Sequence, residues 1–301
     1  MILVPSWLWA VFTITAAGAQ TLRNAMQRDL IASLGTGGAT YVRFIFGLPF
    51  AVLFVILVAV GTHEAPPMPG IRALGFTLIA ALSQIFATAL MLAAMRERAF
   101  VVAIAYTKIE PILVALFGLA VLGDTLSTAS AFAILVATSG VMLMSWPSGR
   151  DGKTTYSWGP AAYGLVSAAA FALSAVGYRA AILALGLQNF IVAASTILAC
   201  GLAIQTALIL LYLVLFNREL LAAIAHLWRA SMTAGFMGAL ASQFWYLAFA
   251  IDTAARVRTL ALVEMIFAQI ATRRLFRQET SRRELAGMAM IIAGVIFLLS
   301  A

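Results

Sequence analysis

The amino-acid sequence predicts an all-α integral membrane protein: ten transmembrane helices arranged as two inverted five-helix repeats. Three observations carry that expectation. Apolar stretches fill nearly all of the 301 residues. A hydrocarbon core about 30 Å thick needs roughly 20 apolar residues in a helix, and these stretches have that length. The composition agrees: 63% of the residues are hydrophobic and 10% are charged, against roughly 25% charged in soluble domains. The stretches also fall into two matching sets of five. Five is odd, so the second set enters the bilayer in the opposite sense to the first, the layout of many secondary transporters.

The spans read, in order, as 7–27, 38–60, 71–94, 99–122, 127–146, 159–180, 188–216, 227–251, 254–272 and 283–300. They are too long for the alternating ten-residue segments of a membrane barrel, so they read as helices. The repeats occupy 1–147 and 158–301, separated by the polar, glycine-rich loop 148–157. Prolines in His63-Glu64-Ala65-Pro66-Pro67 bar a helix throughout that connection. Trp7, Trp9, Trp146, Tyr156, Trp158 and Trp228 lie near span ends, where aromatic belts sit at the headgroups. Small residues such as Ala168-Ala169-Ala170, Ala286-Gly287 and Ala293-Gly294 permit close helix contact.

The net charge is +8, and its placement excludes a nucleic-acid face. Arg23, Arg43 and Lys108 fall within or just inside spans. Of the other basic residues, twelve sort to one side: Arg28, Arg96, Arg98, Arg150, Lys153, Arg218, Arg229, Arg273, Arg274, Arg277, Arg282 and Arg283. Arg72, Arg179, Arg256 and Arg258 sort to the other. Positive-inside bias then makes the twelve-residue side cytoplasmic and puts both termini outside. Cys200 is the only cysteine, so no intrachain disulfide is expected. The start Met1-Ile2-Leu3-Val4 carries no basic segment, so the first span is expected to be retained rather than cleaved.

A shift of about 150 residues superposes the halves: Ser6-Trp7 on Ser157-Trp158, Arg28 on Arg179, Ala94 on Ala248, Glu110 on Glu264, and Gly140-Val141 on Gly294-Val295. The Gly123-Asp124-Thr125 turn falls near Gln278-Glu279-Thr280 with a one-residue slip. With a glutamate in mid-span four followed by a proline (Glu110-Pro111), an acidic short turn, and a span ending in Gly-Val, the chain resembles the EamA group of the drug/metabolite transporter superfamily. Its length and aromatic-rich spans are similar to the YddG-type bacterial exporters of aromatic amino acids. Met265 stands where a second proline is expected after Glu264. The resemblance covers nearly the whole chain. It implies a substrate cavity at the repeat interface near mid-membrane, lined by spans one, three, four, six, eight and nine.

Lys108, Glu110 and Glu264 are the sharpest candidates for chemistry. An ionisable group near the midplane costs several kcal/mol unless it faces protein or water and finds a partner. Each glutamate serves equally to lock helices together or to contact a substrate or proton. Lys108 and Glu110 are two residues apart, so they point about 200° apart on a regular helix. Either Pro111 distorts the turn, or Lys108 pairs with Glu264 across the interface. Together the three offer both an acceptor for an ammonium and a donor for a carboxylate. Gln84 and Gln243, each beside a serine (Ser83, Ser242), serve as helix glue or cavity lining. Trp245, Tyr246 and Tyr106 lie deeper than the belt and suit an aromatic or apolar ligand, as well as plain packing. Gln20, Asn24 and Gln27 recur at helical spacing as one polar stripe, fitting a vestibule or an interfacial helix end. Tyr163 and Tyr178 in span six are weaker candidates.

The function expected from these residues is secondary transport by alternating access: export of aromatic or large apolar amino acids and related small metabolites across a bacterial inner membrane. The other reading on the same fold is export of cationic drugs. An intramembrane enzyme is disfavoured because His63 and His226 are the only histidines and both lie at loops. A channel would want rings of like groups from an oligomer. No cofactor, metal or nucleotide-binding loop is expected. The expected partners are a small-molecule substrate and the bilayer, with the carrier acting as a monomer.

Overall fold

In the computed structural model, residues 5–96, 107–145, 158–276 and 281–300 are described. These residues form helices and connecting turns, with no strand among them. The helices are α1 (Leu8–Ile45), α2 (Leu48–Thr62), α3 (Ile71–Arg96), α4 (Glu110–Leu122), α5 (Thr128–Ser145) and α6 (Trp158–Ala184). They continue as α7 (Phe190–Phe216), α8 (Arg218–His226), α9 (Trp228–Ile251), α10 (Ala254–Leu260), α11 (Val263–Phe276) and α12 (Arg282–Ser300). The expected loop 148–157, Tyr106, and the cations Arg98, Arg150, Lys153 and Arg277 lie outside the described residues.

Among the described residues, six helical runs are long and apolar enough to cross a membrane: Asp29–Thr62, Ile71–Met91, Ala162–Ala184, Phe190–Phe216, Trp228–Ile251 and Arg282–Ser300. They make the chain a multi-pass membrane protein. Glu110–Leu122 and Thr128–Met144 are apolar but shorter. Leu53, Ile56, Leu57 and Val60 of α2 and Leu211, Leu215 and Phe216 of α7 are exposed, an apolar outer surface that suits lipid.

Local chemistry explains several boundaries. Asn189 caps α7 by accepting from the amides of Ile191 and Val192 at 3.2 and 3.5 Å. Asn217 caps α8 through Leu220 at 3.1 Å. Ser281 and Glu284 form a reciprocal capping box at the start of α12: Ser281 N–H donates to Glu284 Oε2 at 2.7 Å, and Glu284 N–H to Ser281 Oγ at 3.2 Å. Gly123, at φ 68°, ends α4. Inside α1, Gly35 takes φ 67° and ψ 175°, a region only glycine occupies without strain. It separates the two spans that the sequence places at 7–27 and 38–60. Gln27 Nε2 donates to Ala39 O at 2.7 Å and ties the two segments across this break.

The stretch that the sequence reads as one span at 254–272 is not continuous. α10 stops at Leu260 and α11 begins at Val263. Between them the backbone tightens to i→i−3 bonding, with Leu262 N–H to Thr259 O at 3.1 Å, Glu264 N–H to Ala261 O at 2.9 Å and Met265 N–H to Leu262 O at 3.0 Å. The interruption therefore forms without a proline at Met265.

The chain divides into two compact units, Met1–Leu82 with Gly177–Asp252, and Ser83–Val176 with Thr253–Ala301. Each draws on both halves of the sequence. In the first unit, α7 packs on α2 and α9, and α9 runs against α1. Fully buried side chains here include Tyr178, Ile197, Leu198 and Leu213. Trp9 is also buried, at 3% exposure, unlike Trp7 and Trp228, which stay exposed as a belt requires. In the second unit, α5 and α12 meet through glycine: a Cβ at Gly140 would stand 2.7 Å from Gly287 O, and one at Gly294 would stand 2.8 Å from Ala137 Cβ. Ala137, Val141, Leu262 and Ile291 form the core beside this contact.

Candidate functional site

In the second unit, the candidate acids each occupy the first turn of a helix. Glu110 opens α4, with Pro111 directly behind it, and Glu264 lies in the first turn of α11. Proline suits that position because its missing N–H has no helical partner there. A carboxylate suits it because the first turn carries partial positive charge, an effect of about 0.3–1 kcal/mol. Lys108 lies in the turn before α4, so the opposed directions expected of a regular helix do not apply to it and Glu110.

Lys108, Glu110 and Glu264 line one pocket together with Pro111, Arg258, Ala261 and Leu262. Glu110 forms an ion pair with Arg258. Arg258 of α10 donates Nε to Glu110 Oε1 at 2.7 Å, and its Nη2 stands 2.5 Å from the same oxygen. Both side chains are mostly covered, Arg258 at 19% and Glu110 at 14% exposure. Two cations and two carboxylates line the pocket, so its formal charge balances.

The first unit gathers the aromatic and amide candidates. Trp245 Nε1 donates to Gln20 Oε1 at 3.2 Å, joining α9 to α1. Gln243 Nε2 donates to Ser195 Oγ at 2.8 Å, joining α9 to α7. Asn24 Oδ1 accepts from Arg23 Nη2 at 2.7 Å. The rings of Tyr178 and Tyr246 lie 4.7 Å apart at 41°, both buried. A Cβ at Gly201 would meet the Tyr178 hydroxyl at 3.3 Å and the Tyr246 hydroxyl at 3.4 Å, so the two phenols converge over that glycine.

The remaining candidates stand apart. Gln84 is half-buried in the second unit. Tyr163 is 40% exposed on α6 and does not line the pocket. Among the described residues, no group of three or more His, Cys, Asp or Glu is placed to hold a metal.

Three arginines matter more than the sequence reading allowed. Arg258 was grouped with loop cations, yet it is the partner of Glu110. Arg179, grouped the same way, is buried and donates Nη1 to Phe249 O at 2.6 Å and to Asp252 O. Arg256 reaches Leu298 O through Nη2 at 3.2 Å. The signal for Arg258 was Glu110 itself, since a carboxylate in an apolar span demands a cation.

No family model matches the chain. No curated protein matches it either. A solved structure described only as "Crystal structure of protein" superposes with a TM-score of 0.68 at 15% identity, over 96% of this chain and 95% of that one. At that identity the likeness shows a shared fold and nothing finer.

Proposed function

We propose that this chain is a secondary transporter of the drug/metabolite type. It has ten spans in two inverted repeats and moves aromatic or large apolar amino acids and related metabolites outward by alternating access. The observation that carries this reading is a pair of carboxylates in the first turns of two helices. Glu110 and Glu264, which the internal repeat equates, each lie in the first turn of a helix, and both line one charge-balanced pocket with Lys108 and Arg258. Discontinuous helices with ionisable groups at their broken ends mark the substrate and ion sites of many carriers. The interleaving of sequence halves in each compact unit supports the repeat.

The amino-acid reading is favoured over cationic drugs because Glu110 is already neutralised by Arg258. The carrier acts as a monomer in a bacterial inner membrane, with both termini outside, and needs no cofactor or catalysis. Reconstitution into liposomes tests it: phenylalanine, tryptophan or methionine should cross faster than in protein-free vesicles. Absence of flux for all three would sink the amino-acid reading. Comparing flux with and without an imposed pH gradient separates proton coupling from facilitated diffusion.

A further inference from the structure

In the first unit, α7 and α9 are each long and apolar enough to cross a membrane, so the chain that joins them lies at a membrane face. That connection is α8, a helix of 9 residues. At 1.5 Å per residue it extends about 13 Å, too short to cross the bilayer. One side of it is committed to the protein. Ile224 is 2% exposed, and a Cβ on Gly38 of α1 would stand 2.8 Å from Leu220 Cδ1. The opposite side is open, with Arg218, Ala222 and Ala225 exposed at helical spacing.

Each end of α8 joins an exposed aromatic ring to an exposed arginine. Phe216, 75% exposed, lies just before Arg218 in the chain. Trp228, 51% exposed, carries the Arg229 guanidinium over its ring at 5.5 Å. Arg218 donates Nε to Val214 O at 2.8 Å, which leaves both Nη nitrogens to a partner outside the chain. Glu219 and His226 are the other ionisable groups of α8, and both are exposed. Glu219 sits in the first turn, where the helix start offsets its charge, and two guanidiniums outnumber it. The apolar outer surface of α7, with Leu211 and Leu215 exposed, runs directly up to Phe216.

Aromatic rings at such an edge sit at headgroup level, and an amphipathic helix with basic residues on its open side lies in the plane of the interface. The planar fork of arginine matches the oxygens of a phosphate. We propose that the open side of α8, with Arg218 and Arg229 flanked by Phe216 and Trp228, binds the headgroups of anionic phospholipids. A zwitterionic lipid offsets its phosphate with its own ammonium, whereas an anionic lipid leaves that charge to the arginines. The inference rests on α7 and α9 crossing the membrane, and it holds whatever the chain transports.

The test places the purified full-length protein in vesicles of phosphatidylcholine mixed with phosphatidylglycerol. One lipid or the other carries bromine on its acyl chains and quenches nearby tryptophan. Subtracting the signal of Trp228→Phe isolates the lipid in contact with Trp228. Phosphatidylglycerol should be preferred there on the order of fivefold for each arginine engaged. The preference should shrink at about 1 M salt, where screening reaches within about 3 Å. It should fall close to one in the Arg218→Gln, Arg229→Gln double variant and persist in the matching lysine variant. Equal quenching by the two lipids in the unaltered protein would overturn the site, and so would a preference that ignores salt or survives the glutamine variant. The lipid and salt comparisons need no substitution at either arginine, so they decide the matter even where a variant misfolds.

Discussion

Arg258 holds a single oxygen of Glu110 through two nitrogens, Nε at 2.7 Å and Nη2 at 2.5 Å. The pair links α10 to the first turn of α4. Removing one partner strands the other in a largely covered site, whereas removing both leaves no uncompensated charge. Arg258→Gln should therefore lower stability by about 1.5–3 kcal/mol. Adding Glu110→Gln to it should recover part of the loss. Unfolding midpoints of the two single variants and the double variant give the coupling energy. Additive losses would show that the two side chains act independently.

Arg179 closes the C-terminal end of α9. The last carbonyls of a helix have no intrahelical donor, and they carry partial negative charge. The guanidinium of Arg179 serves those of Phe249 and Asp252. Arg179→Met keeps the apolar stem and removes the donors, so it should cost about 1.5–3 kcal/mol. Thermal unfolding in detergent measures that loss. An unchanged midpoint would mean that water or detergent serves those carbonyls as well.

The α5–α12 contact has no room for larger side chains. A Cβ on Gly287 would stand 2.6 Å from Gly140 O, inside any real contact distance. Gly287→Val should destabilise by about 1–3 kcal/mol, the usual cost of overpacking. Gly61 has open space where its Cβ would point, so Gly61→Ala is the matched control and should leave the melting point close to that of the parent.

Gly35 holds α1 broken at φ 67° and ψ 175°. An alanine there is strained by about 1–3 kcal/mol or straightens the helix. Gly35→Ala should therefore lower the melting temperature or separate Gln27 from Ala39. Paired spin labels placed near Gln27 and Ala39 distinguish these outcomes.

Much of this was readable in advance because it is local. Hydropathy placed the helices, glycine and proline marked the turns, and Glu110 and Glu264 stood out as carboxylates in apolar runs. What escaped was the choice of partner. Arg258 is far from Glu110 in sequence, and near a span end it is indistinguishable from a loop cation. Arg179 hid in the same way. The interruption before Glu264 lacks a proline, so no residue type announced it.

The glycine seam between α5 and α12 also governs how fast this part of the chain opens. With Gly140 and Gly287 in contact, main chain lies against main chain, and neither a lipid tail nor a detergent molecule fits between them. Amides along that face should be among the slowest in the protein to exchange for deuterium, still protected after the exposed helix ends have exchanged.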